Sequence, residues 1–214
     1  MPKAFNELSN RIIVGIIYSS IFLLVVQTSN NIYLAFWLLL LLILSVFEFF
    51  KITKKSNNFL FKLLTALAFI LFPFYCIFLI KLNLNDGKYI LTFLLLLIWI
   101  SDVSAYFIGK YFGKIKLSKI SPNKTLEGYI GSHLSCLIMG PILISLLKLN
   151  LNINSYLLSI LIPLIANCGD YLESLLKRKF NKKDSSSLLM SHGGILDRLD
   201  SLLFSAPIFY FILN

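Results

Sequence analysis

Between Gly169 and Ser201 the chain gathers Asp170, Glu173, Asp197 and Asp200 with Ser174, Lys177, Arg178, Lys183 and Arg198. On a helix, Asp170, Glu173 and Ser174 share one face and Lys177 follows one turn later. Two carboxylates and a hydroxyl are hard oxygen ligands of the kind Mg²⁺ takes, usually through one or two carboxylates plus substrate phosphates. Simple pairing of the two acids with Lys177 is the alternative. Asp197 and Asp200, three residues apart, project together in the same way. The chemistry that needs such a set is metal-assisted phosphoryl or nucleotidyl transfer, in which cations neutralise phosphate oxygens while the reacting groups are held in line.

Three further stretches add to it. His192-Gly193-Gly194 precedes Asp197, and paired glycines opening a helix let backbone amides approach an anion. Asp102 lies inside an apolar run, where an ionisable residue marks function by default. Tyr106 and Gly109 follow it on the same helical face, and Gly109 and Gly113 permit close backbone packing. Ser121-Pro-Asn-Lys-Thr-Leu-Glu-Gly128 reads as a helix start at Ser121 and Pro122, with Lys124 and Thr125 offering a charge and a hydroxyl to a bound anion.

These groups must be positioned by membrane helices. Of the 214 residues, 57% are hydrophobic, against roughly 45–50% in ordinary soluble domains. A span needs about 20 apolar residues. Seven runs serve: 12–28, 32–50, 59–81, 88–109, 129–148, 154–175 and 199–213. The fold expected is an all-α, polytopic membrane protein of seven helices, or eight if Pro73 splits the third. With the N-terminus in the cytoplasm, 17 of the 20 Lys and Arg residues fall on the cytoplasmic side, leaving only Lys81, Lys88 and Lys148 outside. The net charge of +10 sits in clusters between apolar runs, which favours anionic lipid and phosphate over nucleic acid. Cys76, Cys136 and Cys168, all in apolar runs without metal spacing, read as small buried hydrophobes. The first run, preceded by Lys3 and Arg11, lacks a signal-peptidase-like site and reads as a retained span.

The 27-residue stretch Ser174 to Asp200, with its ordered Ser, Lys-Arg, Lys-Asp, His-Gly-Gly and Asp-Arg-x-Asp, closely resembles the signature of the phosphatidate cytidylyltransferases, or CDP-diacylglycerol synthases. Asp102 to Tyr106 with Gly109 and Gly113, then Ser121 to Gly128, then Gly169-Asp170-x-x-Glu173-Ser174 resemble that family too. Together the resemblance spans about 90 to 205. Met190 stands where the signature has Pro or Gly, Leu126 where an aromatic is usual, and Gly131-Ser132 where Gly-Gly is usual. The chain is also shorter than typical members before residue 90.

The resemblance implies CTP plus phosphatidic acid giving CDP-diacylglycerol and pyrophosphate, with Mg²⁺ and a second cation such as K⁺. It implies metal ligands at Asp170 and Asp197, supported by Glu173 and Asp200. It implies phosphate contacts from Lys177, Arg178, Lys183 and Arg198, and a pocket that includes Ser174, His192, Gly193, Gly194, Lys124, Thr125 and Asp102. A homodimer is implied by the resemblance alone. Residues 1–90 are then N-terminal membrane helices and 91–214 the catalytic region, in the inner (cytoplasmic) membrane of a bacterium or in an organelle. The rival readings are a transporter, which would show a repeat of the motif half within 1–90, and a non-catalytic lipid-binding relative, which would have lost a carboxylate or the His-Gly-Gly turn. Neither mark is present.

Overall fold

Every long apolar run becomes a helix, because a backbone in hydrocarbon must satisfy its own hydrogen bonds. The computed structural model describes residues 2–118, 121–151, 155–186 and 193–214. Within them lie α1 (Pro2–Gln27), α2 (Asn31–Ile52), α3 (Phe59–Asn83), α4 (Gly87–Phe112), α5 (Leu126–Leu146), α6 (Ser155–Lys179) and α7 (Leu196–Leu213). Four of them, α2 to α5, are long and apolar enough to cross a membrane, while polar residues of the site interrupt α6 and α7. No strand occurs among the described residues beyond an isolated bridge between Lys116 and Thr125.

Pro73 does not split the third helix. The chain winds one π turn over Leu67–Leu71 and resumes α-helix at Phe72. Proline lacks an N–H and its ring crowds the carbonyl four residues back. The wider π turn relieves that clash without breaking the span.

The central helix is α4. Five consecutive residues, Leu91, Thr92, Phe93, Leu94 and Leu95, cover its whole circumference and are all buried. Around it, Leu24, Phe36, Phe59, Ile138 and Leu146 are exposed. An apolar exterior over an apolar core is the surface of a protein solvated by lipid.

Glycines bring α4 and α5 into backbone contact. A methyl on Gly128 would lie 2.7 Å from the Ala105 carbonyl and 3.1 Å from Gly109 Cα, and one on Gly113 would meet Thr125 at 2.6 Å. The close packing expected of Gly109 and Gly113 is therefore made against the start of α5. That helix does not begin at Ser121-Pro122. Those residues form a turn closed by the Lys124 N–H on the Ser121 carbonyl (3.1 Å), and Thr125 is the cap, its Oγ1 accepting from Gly128 N–H at 3.2 Å. Lys116 and Thr125 bridge across the loop, which delays the helix to Leu126.

Candidate active site

Five helix termini meet at one end of the bundle: the C-terminal ends of α2, α4 and α6 and the N-terminal ends of α5 and α7. The turn just before α5 and the last turns of α6 are joined by an ion pair, Lys124 Nζ to Asp170 Oδ2 at 2.5 Å. Ser174 Oγ lies 3.5 Å from the other Asp170 oxygen. This pair borders a cavity of about 750 Å³ whose polar wall includes Asp102, Tyr106, Thr125 and Asn167. Asp102 projects into that space, within the electrostatic reach of Asp170, Asp200, Lys124 and Arg198. Cys168 also lines the cavity and is exposed, contrary to the expectation of a buried thiol.

On the other side of Leu172 lies a narrower cleft of about 220 Å³, walled by Phe49, Phe61, Phe69 and Phe204. Among the described residues its acidic lining comes from Glu173 and Asp200, whose carboxyls lie close enough to act on each other. The expected pairing of Asp170 with Glu173 on one face is thus divided. Three residues advance a helix by 300° and four by 400°, so Asp170 aligns with Ser174, and Glu173 with Lys177. The two ridges face different spaces. Asp200 lines the cleft with Glu173, while Asp197 lines neither space and turns to Lys177.

Lys177 and Asp197 form a buried hub. Lys177 Nζ lies 2.6 Å from Asp197 Oδ1 and 3.2 Å from Glu173 Oε2, with side chains 10%, 14% and 7% exposed. Asp197 Oδ2 accepts from Ser185 N–H (2.9 Å), the Ser185 hydroxyl (2.9 Å) and Gly194 N–H (2.8 Å). Gly193 adopts φ 77°, which suits glycine, so that the chain can turn back onto Asp197. The loop is anchored at its other end by Asn181, left-handed at φ 55°, where Lys182 N–H reaches the Lys177 carbonyl (2.9 Å) and Asn181 N–H the Arg178 carbonyl (2.9 Å). Arg178 donates to the Lys182 carbonyl at 2.9 Å. Lys183 and Arg198 are exposed and line neither cavity. His192 and Met190 lie outside the described residues.

Sequence reasoning passed over one residue. Glu48, near the end of α2, is fully buried and accepts four hydrogen bonds from the signature loop and the start of α7. An acid inside the run 32–50 was the available signal, but beside Lys51 it looks like the ordinary end of a span.

A helical membrane protein with a polar cavity, an apolar cleft and a carboxylate-lysine hub at one end of the bundle is the class defined by this geometry. The chain belongs to the cytidylyltransferase family, whose model matches residues 8–214. It is 42% identical over 149 residues to a phosphatidate cytidylyltransferase of Aquifex aeolicus, covering 68% of this chain and 56% of that protein. Proteins of the same name are 41% identical over 131 residues in Staphylococcus haemolyticus and 42% over 134 in Bacillus subtilis, each alignment covering 60% of this chain and 50% of the relative. The chain thus spans about half the length of the curated relatives it matches.

Proposed function

We propose that the chain is a nucleotidyltransferase that moves the cytidylyl group of CTP onto phosphatidic acid, releasing pyrophosphate and forming CDP-diacylglycerol. The observation that carries this reading is the pair of spaces divided by Leu172. The cavity beside Lys124 and Asp170 suits a nucleotide triphosphate, the phenylalanine-walled cleft suits an acyl chain, and Asp200 of the cleft lies within electrostatic reach of Asp102 and Asp170 in the cavity. A phosphate oxygen of the lipid attacks the α-phosphorus, a new P–O–P bond forms, and the bond to pyrophosphate breaks. No protein nucleophile is needed, because the phosphomonoester already carries about −1.5 to −2 charge.

The residues present fit a divalent cation. Asp102, Asp170 and Asp200 act on one another electrostatically, and Glu173 Oε1 is buried with no hydrogen-bond donor. Among the described residues no three His, Cys, Asp or Glu side chains already form a metal cage. A site completed by the triphosphate itself is what Mg²⁺ favours. Asp170 and Asp200 would hold it, with Glu173 beside Asp200, and Asp197 would join them only where Lys177 yields its place. When bound, Mg²⁺ neutralises phosphate charge. Lys124 binds the triphosphate by charge, Thr125 shapes the wall around it, and Lys177 keeps Asp197 and Glu173 in register. The lopsided distribution of Lys and Arg supports a multi-pass protein of the cytoplasmic membrane with its N-terminus and this site on the cytoplasmic side.

The test is transfer of label from α-labelled CTP into lipid by the purified full chain with phosphatidic acid and Mg²⁺. Labelled CDP-diacylglycerol from wild type, and at least about a hundredfold less from Asp170→Asn, is the expected result. Equal rates for both proteins would remove Asp170 from the site.

A further inference from the structure

Glu48 belongs to the half of the chain that the signature does not reach, and it is the most completely buried carboxylate described, at 0% exposure. A buried charge is costly unless paired and hydrogen-bonded. Among the described residues no cation forms an ion pair with it. Its partners are all donors from one segment: the Ser186 hydroxyl (2.6 Å) and Ile195 N–H (3.0 Å) on Oε1, and the Ser185 hydroxyl (2.9 Å) and Leu196 N–H (2.8 Å) on Oε2. The two amides are first-turn donors of α7 that have no partner within their own helix. A carboxylate there also meets the positive end of the helix dipole.

The geometry continues into the hub. The Ser185 hydroxyl stands 2.9 Å from Glu48 Oε2 and 2.9 Å from Asp197 Oδ2, so one proton is shared between two carboxylates. Gly194 packs between the same groups, and a methyl there would collide with the Ser185 hydroxyl and the Glu48 carboxylate. The second glycine of the pair therefore leaves room for the Glu48 carboxylate beside Ser185. Any shift of the Glu48 carboxylate displaces Ser185 and Leu196, and with them Asp197 and its contact to Lys177.

We propose that Glu48 is a positioning residue for the transfer reaction: from α2 it holds Ser185, Ser186 and the start of α7 in place, so that the N-terminal half completes the active site. This rests on the transferase reading given above. Glu48 touches no substrate and acts through Ser185, Leu196 and Asp197.

The experiment compares wild type, Glu48→Gln and Glu48→Asp as full chains in detergent. It measures transfer kinetics and, in parallel, hydrogen exchange in peptides covering Gly194–Leu203 and, as a control, Leu91–Leu97. Glu48→Gln keeps the shape but turns an N–H₂ group towards donors. It is expected to speed exchange at the start of α7 and to lower kcat, each at least about tenfold, with KM for CTP within about threefold and the α4 peptide unchanged. Glu48→Asp keeps the charge and restores part of both. Wild-type kcat and wild-type exchange in Glu48→Gln would overturn the proposal, as would a kcat loss without faster exchange at α7. If wild type transfers no cytidylyl group, the transferase reading falls, and exchange alone decides whether Glu48 holds the loop. If Glu48→Gln does not insert, Glu48→Asp carries the same two readouts with the same deciding outcomes.

Discussion

Replacing Asp197 by Asn removes one charge and almost no volume. Asp197 uses one oxygen for Lys177 Nζ at 2.6 Å and the other for three donors from Ser185 and Gly194. An amide has one acceptor oxygen. Turned towards the three donors, it leaves its N–H₂ group against the Lys177 ammonium. The Lys177 side chain is 10% exposed, and its ammonium would keep Glu173 at 3.2 Å as its remaining described ion pair. Breaking a buried pair from one side costs about 3–5 kcal/mol, and because both side chains are largely out of solvent little of this is screened. If about 3 kcal/mol appears in the barrier, turnover falls by about two orders of magnitude. The assay is steady-state transfer by Asp197→Asn, Lys177→Met and the double variant. Contacting residues of this kind couple by about 0.5–3 kcal/mol, so the double variant should lose much less than the sum of the singles. Asp197→Asn within about threefold of wild type, or strictly additive losses, would refute the hub.

Gly194→Ala is expected to disturb the loop by about 1–3 kcal/mol of overpacking, read as faster exchange at Ile195 and Leu196. Lys124→Gln should raise KM for CTP more than it lowers kcat, since the ammonium borders the cavity and loses only its pair with Asp170; an unchanged KM would place the triphosphate elsewhere. Thr65→Trp fills the apolar cleft and should raise KM for long-chain phosphatidic acid while leaving KM for CTP alone. Chelating Mg²⁺ with EDTA should stop transfer yet hardly move the thermal midpoint of the substrate-free protein, because among the described residues no three His, Cys, Asp or Glu side chains are grouped closely enough to hold an ion without the triphosphate.

The seven helices could be read because lipid imposes one rule on every span, and the ends found from hydropathy agree with the structure to within a few residues at most positions. The α1 start is the main difference, since the helix runs back to Pro2 through the polar segment before Ile12. Pro73 could be read as a perturbation, but its resolution as a π turn depends on backbone geometry that composition does not specify. The start of α5 is not legible in sequence because Ser121-Pro122 carries good start chemistry, while the bridge between Lys116 and Thr125 that overrides it is a cross-loop contact. At the site, residue types were legible and their grouping was not. A three-residue spacing looks like a shared face, yet a 60° offset is enough to aim Asp170 and Glu173 into separate spaces. Glu48 lies 137 to 148 residues from its partners, a separation at which periodicity carries no information.

The central claim is that CTP and an anionic lipid react at one site, and the most direct measurement is pyrophosphate release by the purified full chain with CTP and Mg²⁺, with and without phosphatidic acid. One pyrophosphate per CDP-diacylglycerol formed, and none when the lipid is omitted, is the expected result. Release independent of phosphatidic acid, or no lipid product where the Aquifex aeolicus relative makes it, would contradict it.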